Sequence, residues 1–237
     1  MKITIIGGGN VATHLCVALS DKADEVISVS SRTLEDLPED SDLYIIAVSD
    51  SAIAEVARRL PRLDGVVAHT SGSVPMEALA DCAERYGVFY PLQTFTKWSD
   101  LDYTRIPVFI EGSDTTAVRT LTEAANCFTT HIRAADSEAR KRLHLASVFA
   151  CNYVNHLWTI ADRLLAADGL SIEILRPLIE ATVEKIRHLP PAQAQTGPAS
   201  RGDTGIIQSH LAMLADTPCH DIYKLLAESI LHERNKL

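Results

Sequence analysis

Near the start of the chain, Gly7-Gly8-Gly9-Asn10-Val11-Ala12 follows a β-branched run and opens a stretch of helical character. The spacing is G-x-G-x-x-A. Placed between a strand and a helix, it has a defined chemistry. Gly7 allows a tight turn, Gly9 lets the backbone approach a pyrophosphate, and Ala12 keeps helix and strand close. The unpaired N–H groups of the helix start, at Asn10 and Val11, and its dipole then hold the anion. These residues are expected to bind a dinucleotide.

The end of the next strand sets which dinucleotide. A site for NAD usually has Asp or Glu there, about 20 residues on, bonded to the ribose hydroxyls. This chain has Ser30-Ser31-Arg32-Thr33 instead. Hydroxyls beside a guanidinium suit a 2′-phosphate. Ser31 and Arg32 thus point to NADP, although a solvated loop with an incidental Arg has the same composition.

Further polar clusters follow later strands, where ligands of open α/β sheets bind. Val48 and Ser49 are candidates for cofactor contact, with Asp50 or Ser51 as an equally good helix cap. His69, Ser71 and Gly72 follow the fourth strand, and Gln93 and Thr94 the fifth. They are candidate walls of a substrate cleft. Arg140, Lys141, His144, Ser147, Cys151 and Asn155 share one side of a long helix at 100° per residue, with Asn152 near its edge. His144, Asn152 and Arg201 are the candidate catalytic residues. His144 would act as acid, because an imidazole changes protonation near neutral pH. Arg201 would grip an anionic substrate group, and Asp203 would orient it or cap the following helix. Packing roles for these residues remain open.

Those residues need a scaffold. Strands are expected over 2–6, 25–30, 43–48, 65–69, 87–90, 107–111 and 129–133, and helices over 10–19, 52–60, 76–86 and 115–127. The connection between the second and third strands is unusually short. Strands alternating with helices imply a mostly parallel sheet covered on both faces. After Ala135 no strand is expected. A long helix capped by Asp136 or Ser137 runs to about residue 167, another ends near His188, and two more flank Pro218. The organisation is therefore α/β, with a dinucleotide-binding domain over 1–135 and an all-helical substrate and dimerisation domain over 136–237.

Bulk properties narrow the function classes. Hydrophobic residues make up 46% of the 237 residues, enough for a real core. The net charge of −9, from 22 basic and 31 acidic side chains, repels phosphodiester backbones and argues against a nucleic-acid partner. The five cysteines are scattered, with no C-x-x-C, which argues against a disulfide framework and a zinc site and fits a reducing cytoplasm. No secretory signal is expected, because the first apolar run is short and flows into a glycine turn. The apolar stretch at 145–160 is broken by Asn152, Asn155 and His156, so a membrane span is not expected.

With Ser31-Arg32, His69-Thr70-Ser71-Gly72, Pro91-Leu92-Gln93-Thr94-Phe95, and the loop Gly197-Pro198-Ala199-Ser200-Arg201-Gly202-Asp203 with His210, the glycine motif carries a resemblance. The chain resembles Rossmann-like NADP oxidoreductases of unassigned function, grouped near the pyrroline-5-carboxylate reductases, ketopantoate reductases and β-hydroxyacid dehydrogenases. The resemblance implies a Rossmann domain followed by a helical domain that commonly forms dimers. Some of these enzymes use a Lys in the long helix with an Asn one turn on. Lys141 lies near that place, but Asn152 and Asn155 lie well beyond one turn, so that pattern does not carry over. The expected function is NADPH-dependent reduction of a small carbonyl or imine, a keto acid being one candidate, by a homodimer. The alternatives are a dinucleotide-binding sensor or scaffold without turnover, and a deazaflavin-dependent NADP oxidoreductase.

Overall fold

A computed structural model describes residues 1–234; the last three residues of the expected helical domain lie outside them. The chain divides into two compact units, Met1–Asn152 and Tyr153–Leu237.

In the first unit, among the described residues, seven strands form one sheet. They are β1 (Lys2–Ile6), β2 (Glu25–Val29), β3 (Leu43–Ile46), β4 (Val66–His69), β5 (Tyr86–Pro91), β6 (Val108–Gly112) and β7 (Ile132–Ala134). Their order is β2-β1-β3-β4-β5-β6-β7. Every pairing is parallel except β5 with β6, which runs antiparallel with Phe89 opposite Ile110. The expected mostly parallel sheet is what forms.

The strands read as near-continuous apolar runs because both faces of a parallel sheet are covered. Side chains alternate between those faces. Ile3, Ile5, Leu43 and Ile45 pack on one face with helices α1 (Asn10–Ser20) and α3 (Thr115–Ala125). Ile6, Tyr44 and Ile46 pack on the other with helix α2 (Asp50–Arg59). Fully burying one such aliphatic side chain contributes roughly 1.5–3 kcal/mol, so this double-sided core is what holds the strand ends in place.

Two connections matter for the site. Residues 30–42 join β2 to β3 without a helix, as the short spacing implied. Leu34 and Leu37 anchor that loop on the α2 face. The second connection departs from expectation. Residues 76–86 do not form an α-helix: a 3₁₀ turn covers Met76–Leu79 and the chain then extends. The bonds are short-range, from Ala80 N–H to Glu77 O and from Cys82 N–H to Leu79 O. A bridge between Leu63 and Ala83 draws the segment into extended form before a second helical turn can develop. Tertiary pairing overrides the helix propensity of its alanines here.

Asp114 caps α3, its carboxylate accepting from Ala117 N–H at 2.7 Å. Asp136 does the same for α4 (Ser137–Ser147) through Ala139 N–H, also at 2.7 Å. The long helix that follows is interrupted. A π-helical segment spans Val148–Tyr153, and α5 (Val154–Ala166) continues beyond it. A π turn holds more residues than an α turn. The polar stripe read at 100° per residue therefore does not continue as one face past Ser147.

The second unit contains α5, α6 (Arg176–His188), the short helices α7 (Pro191–Ala194) and α8 (Pro198–Arg201), α9 (Thr204–Met213) and α10 (Cys219–Arg234). Helix α6 ends at His188, as expected, and Pro190 separates it from α7, which begins at Pro191. Ala199, Ile207 and Ala227 form a small core among α8, α9 and α10. Large apolar side chains of α5 and α6 face outward in this chain, including Leu164, Val183, Ile186 and Leu178, which is 65% exposed. No helix among the described residues is long and apolar enough to cross a membrane.

Candidate functional site

The C-terminal ends of β1, β2 and β3 open onto a cleft of about 890 Å³. Its walls are Gly7, Gly8, Gly9, Asn10 and Val11; residues 28–32; Ala47, Val48 and Ser49; and Gln93 and Phe95. Thus Gly7, Gly9, Asn10, Val11, Ser31, Arg32, Val48, Ser49 and Gln93 share one cavity. Ala12 is buried behind them in the core.

The turn requires glycine for steric reasons. Gly7 has φ of +142°, and a Cβ there would lie 2.3 Å from the Ala47 carbonyl oxygen. Gly8 and Gly9 would meet nothing within 4 Å, so bare backbone faces open space. Gly9 caps α1 without a side-chain bond, and the first helical bond runs from Thr13 N–H to Gly9 O. The N–H groups of the first turn are left for a ligand. Such a cradle fits the pyrophosphate of a dinucleotide.

The end of β2 carries no carboxylate into this cleft; Ser31 and Arg32 line it instead. Arg59, the last residue of α2, donates from Nη1 to Ser31 O at 3.0 Å and from Nη2 to Arg32 O at 2.6 Å. On the other side of the glycine turn, Asn10 Nδ2 donates to Phe95 O at 2.9 Å. His14 Nε2 lies 2.7 Å from Thr96 O, and its Nδ1 2.8 Å from Tyr103 Oη. Asn10 and His14 are four residues apart on one helix face and tie the loop after β5 to α1. That spacing was the signal available in the sequence.

A second polar cluster forms where β4 and β5 end. His69 is fully buried. Its Nδ1 accepts from Ser71 N–H at 3.1 Å, which leaves Nε2 to donate to Pro75 O at 3.3 Å. Both ring nitrogens are therefore engaged within the loop. Burial pushes the imidazole down from 6.5 to about 4, so it is neutral. Ser71 Oγ accepts from the N–H groups of Ser73 and Val74 at 3.0 and 2.9 Å. Arg140 is 1% exposed and binds this loop, donating from Nε to Ser71 O at 3.1 Å and from Nη2 to Val74 O at 2.6 Å. Its Nη1 pairs with Glu111 from the antiparallel strand β6. Glu111 also accepts from Ser137 N–H at 2.9 Å, which locks the start of α4 to the sheet.

Between these anchors, Tyr90 Oη lies 3.2 Å from His144 Nδ1. Burial raises the Tyr90 phenol, nearby Asp50 raises it further, and Arg140 lowers it. Gly72 allows the pair to meet: a Cβ there would stand 2.8 Å from Tyr90 Cζ and 2.9 Å from His144 Nδ1. Sequence reasoning singled out His144 and Gly72 but missed Glu111, Arg59 and the contact of Tyr90 with His144.

The remaining candidates are placed elsewhere. Thr94 is exposed, its N–H donating to Gln93 Oε1 at 2.7 Å. Asn152 is exposed on the π-helical segment. Arg201 and Asp203 lie in the second unit, where Asp203 caps α9 by accepting from Ile206 N–H at 3.3 Å. There His210 Nδ1 meets Tyr223 Oη at 2.8 Å.

The arrangement can be set beside known proteins. A crystal structure of a putative NADP oxidoreductase from Bacteroides fragilis is similar over 98% of each chain, with 38% identity and a TM-score of 0.89. Protein TM1727 from Thermotoga maritima shares the fold over 99% of this chain and 98% of its own, at 19% identity and a TM-score of 0.75. A reductive aminase from Aspergillus terreus, crystallised with NADPH and ethyl levulinate, shares it over 99% and 94%, at 14% identity and a TM-score of 0.72. No curated relative matches the chain. These similarities bear out the resemblance to Rossmann-like NADP oxidoreductases drawn from the motifs. The family model described as a domain of unknown function, DUF2520, matches residues 106–230. The chain belongs to the DUF2520 family.

Proposed function

We propose that the protein is an NADP-dependent oxidoreductase that reduces a small carbonyl or imine compound. The observation that carries this reading is the glycine cradle leading to Ser31 and Arg32 in one cleft, with no acidic side chain where a 2′-phosphate would sit. The 38%-identical relative described as an NADP oxidoreductase supports it.

Gly9, Asn10 and Val11 would hold the pyrophosphate, and Ser31 and Arg32 the 2′-phosphate. Val48, Ser49 and Gln93 line the rest of the cleft. The reduced nicotinamide, when bound, supplies a hydride to the substrate carbon. The protein supplies the proton that the substrate oxygen or nitrogen then needs. The Tyr90–His144 pair is the donor in this account, with His144 the member closer to solvent and able to be recharged from it. Gly72 and the Arg140–Glu111 clamp hold that pair's surroundings rigid. Asn152, exposed on the π-helical segment that follows α4, is the proposed further substrate contact.

Leu164 of α5 and Leu178, Val183 and Ile186 of α6 are exposed apolar side chains that a partner surface would cover. A homodimer built through the helices after Ala135 would cover them. A cytoplasmic location fits the five unpaired cysteines.

A panel of 2-keto acids, keto-alcohols and cyclic imines, followed at the nicotinamide absorbance with NADPH, tests the reading. Turnover of one class is expected. Tight NADPH binding with no turnover across the panel would favour a sensor instead.

A further inference from the structure

We infer that Arg59 is a positioning residue that sets selectivity for the 2′-phosphate, by fixing the turn that carries Ser31 and Arg32. The inference rests on the NADP reading above.

Arg59 is not a wall of the cleft. It stands behind the turn and bonds two consecutive carbonyls, Ser31 O at 3.0 Å and Arg32 O at 2.6 Å. A planar guanidinium suits this two-point grip, which one ammonium cannot copy. Both carbonyl dipoles then have their negative ends turned toward a cation. Because a trans peptide sets C=O and the next N–H on opposite sides, the N–H groups of Arg32 and Thr33 are fixed away from Arg59.

The turn needs such a hold. Its own bonds are few and short-range: Leu34 N–H to Ser30 O at 3.0 Å, Arg32 N–H to Ser30 Oγ at 3.3 Å and Glu35 N–H to Thr33 Oγ1 at 3.4 Å. Just beyond it, Leu34 and Asp36 take left-handed φ values of 56° and 59°, which side-chain-bearing residues rarely adopt. No helix spans residues 30–42 to stiffen the loop. Charge points the same way. The chain carries a net charge of −9. Yet, among the described residues, neither Arg32 nor Arg59 has a carboxylate at salt-bridge distance, although Glu35 and Asp36 lie in the same loop as Arg32. One guanidinium on the turn lines the cleft and a second, at the end of α2, braces the turn from behind, so positive charge without a carboxylate partner gathers where an anion would bind. The neighbouring Arg58 makes no such contact; its Nε donates back to Ala54 O at 3.1 Å.

The test compares 2′,5′-ADP with 5′-AMP, which differ only by the 2′-phosphate, in NMR titrations of the full chain. The unmodified protein is expected to bind 2′,5′-ADP at least about tenfold more tightly. Arg59→Gln should cut that ratio by at least about fivefold while leaving the 5′-AMP affinity within about twofold. Arg59→Lys should recover only part of it, since it restores charge but not the two-point grip. Arg58→Gln removes the same charge one residue away and should leave the ratio unchanged. Arg59→Met, which keeps the aliphatic stem, gives the same reading if the Gln variant fails to fold. A ratio kept in Arg59→Gln or Arg59→Met, or lost equally in Arg58→Gln, would overturn the role of Arg59 and leave the NADP reading standing. A ratio near one in the unmodified protein would overturn both.

Discussion

Tyr90 and His144 meet at 3.2 Å from positions 54 residues apart. Neither has a chemical role without the other in the proposed account: one is a buried phenol, the other a half-buried imidazole that can exchange with water. Tyr90→Phe and His144→Gln should each lower turnover by about 10²-fold or more, the range for a lost general acid. NADPH affinity and melting temperature should stay near the unmodified values. Normal turnover in both variants would assign the pair to packing. His69 behaves differently. Its folded-state value near 4 lies below the ordinary 6.5, so the unfolded chain binds its proton more readily. The stability it contributes is full above about pH 6.5 and declines as pH falls toward 4, by about 3 kcal/mol. Urea unfolding across that range should show a shallower pH slope in His69→Gln; identical slopes would contradict a buried neutral imidazole. At this scale the glycine motif was legible because its strand, turn and helix are contiguous. The pairing of Tyr90 with His144 was not, since β5 and α4 come together only through the fold.

Elements decide where those side chains can act. The loop after β4 is held by Arg140 from α4, and Arg140 is held by Glu111 from β6. Removing the carboxylate charge leaves a buried guanidinium without its counter-charge. Glu111→Gln should therefore destabilise the protein by about 3–5 kcal/mol, measured by urea unfolding. A loss under about 1 kcal/mol would mean that the pair is solvated and the clamp weak. The mostly parallel sheet was legible from strands alternating with helices, and the cap Asp136 from its place before a helix; the order of the strands and the Asp114 cap were not. The 3₁₀ turn at Met76–Leu79 and the π-helical segment at Val148–Tyr153 were not. The first is imposed by a bridge to Leu63, the second changes helical phase without a sequence marker. That is also why the polar stripe was legible only as far as Ser147.

For the molecule as a whole, the sequence showed that the C-terminal half is helical. It could not show which apolar residues the isolated chain leaves uncovered, because that depends on how many helices pack together. Leu178 and Ile186 on α6 are more than half exposed. Light scattering at micromolar concentration should give about twice the 25.9 kDa chain mass. A species of about 26 kDa alone would remove the homodimer from the account. The central claim, an NADP site at the carboxyl edge of the sheet, is tested most directly by calorimetric titration of the unmodified protein and Arg32→Ala with NADPH and NADH. The account predicts that the unmodified protein binds NADPH at least about tenfold more tightly, roughly 1.4 kcal/mol, and that Arg32→Ala loses most of this preference. Equal affinities for the two cofactors in the unmodified protein, or binding of neither, would contradict it.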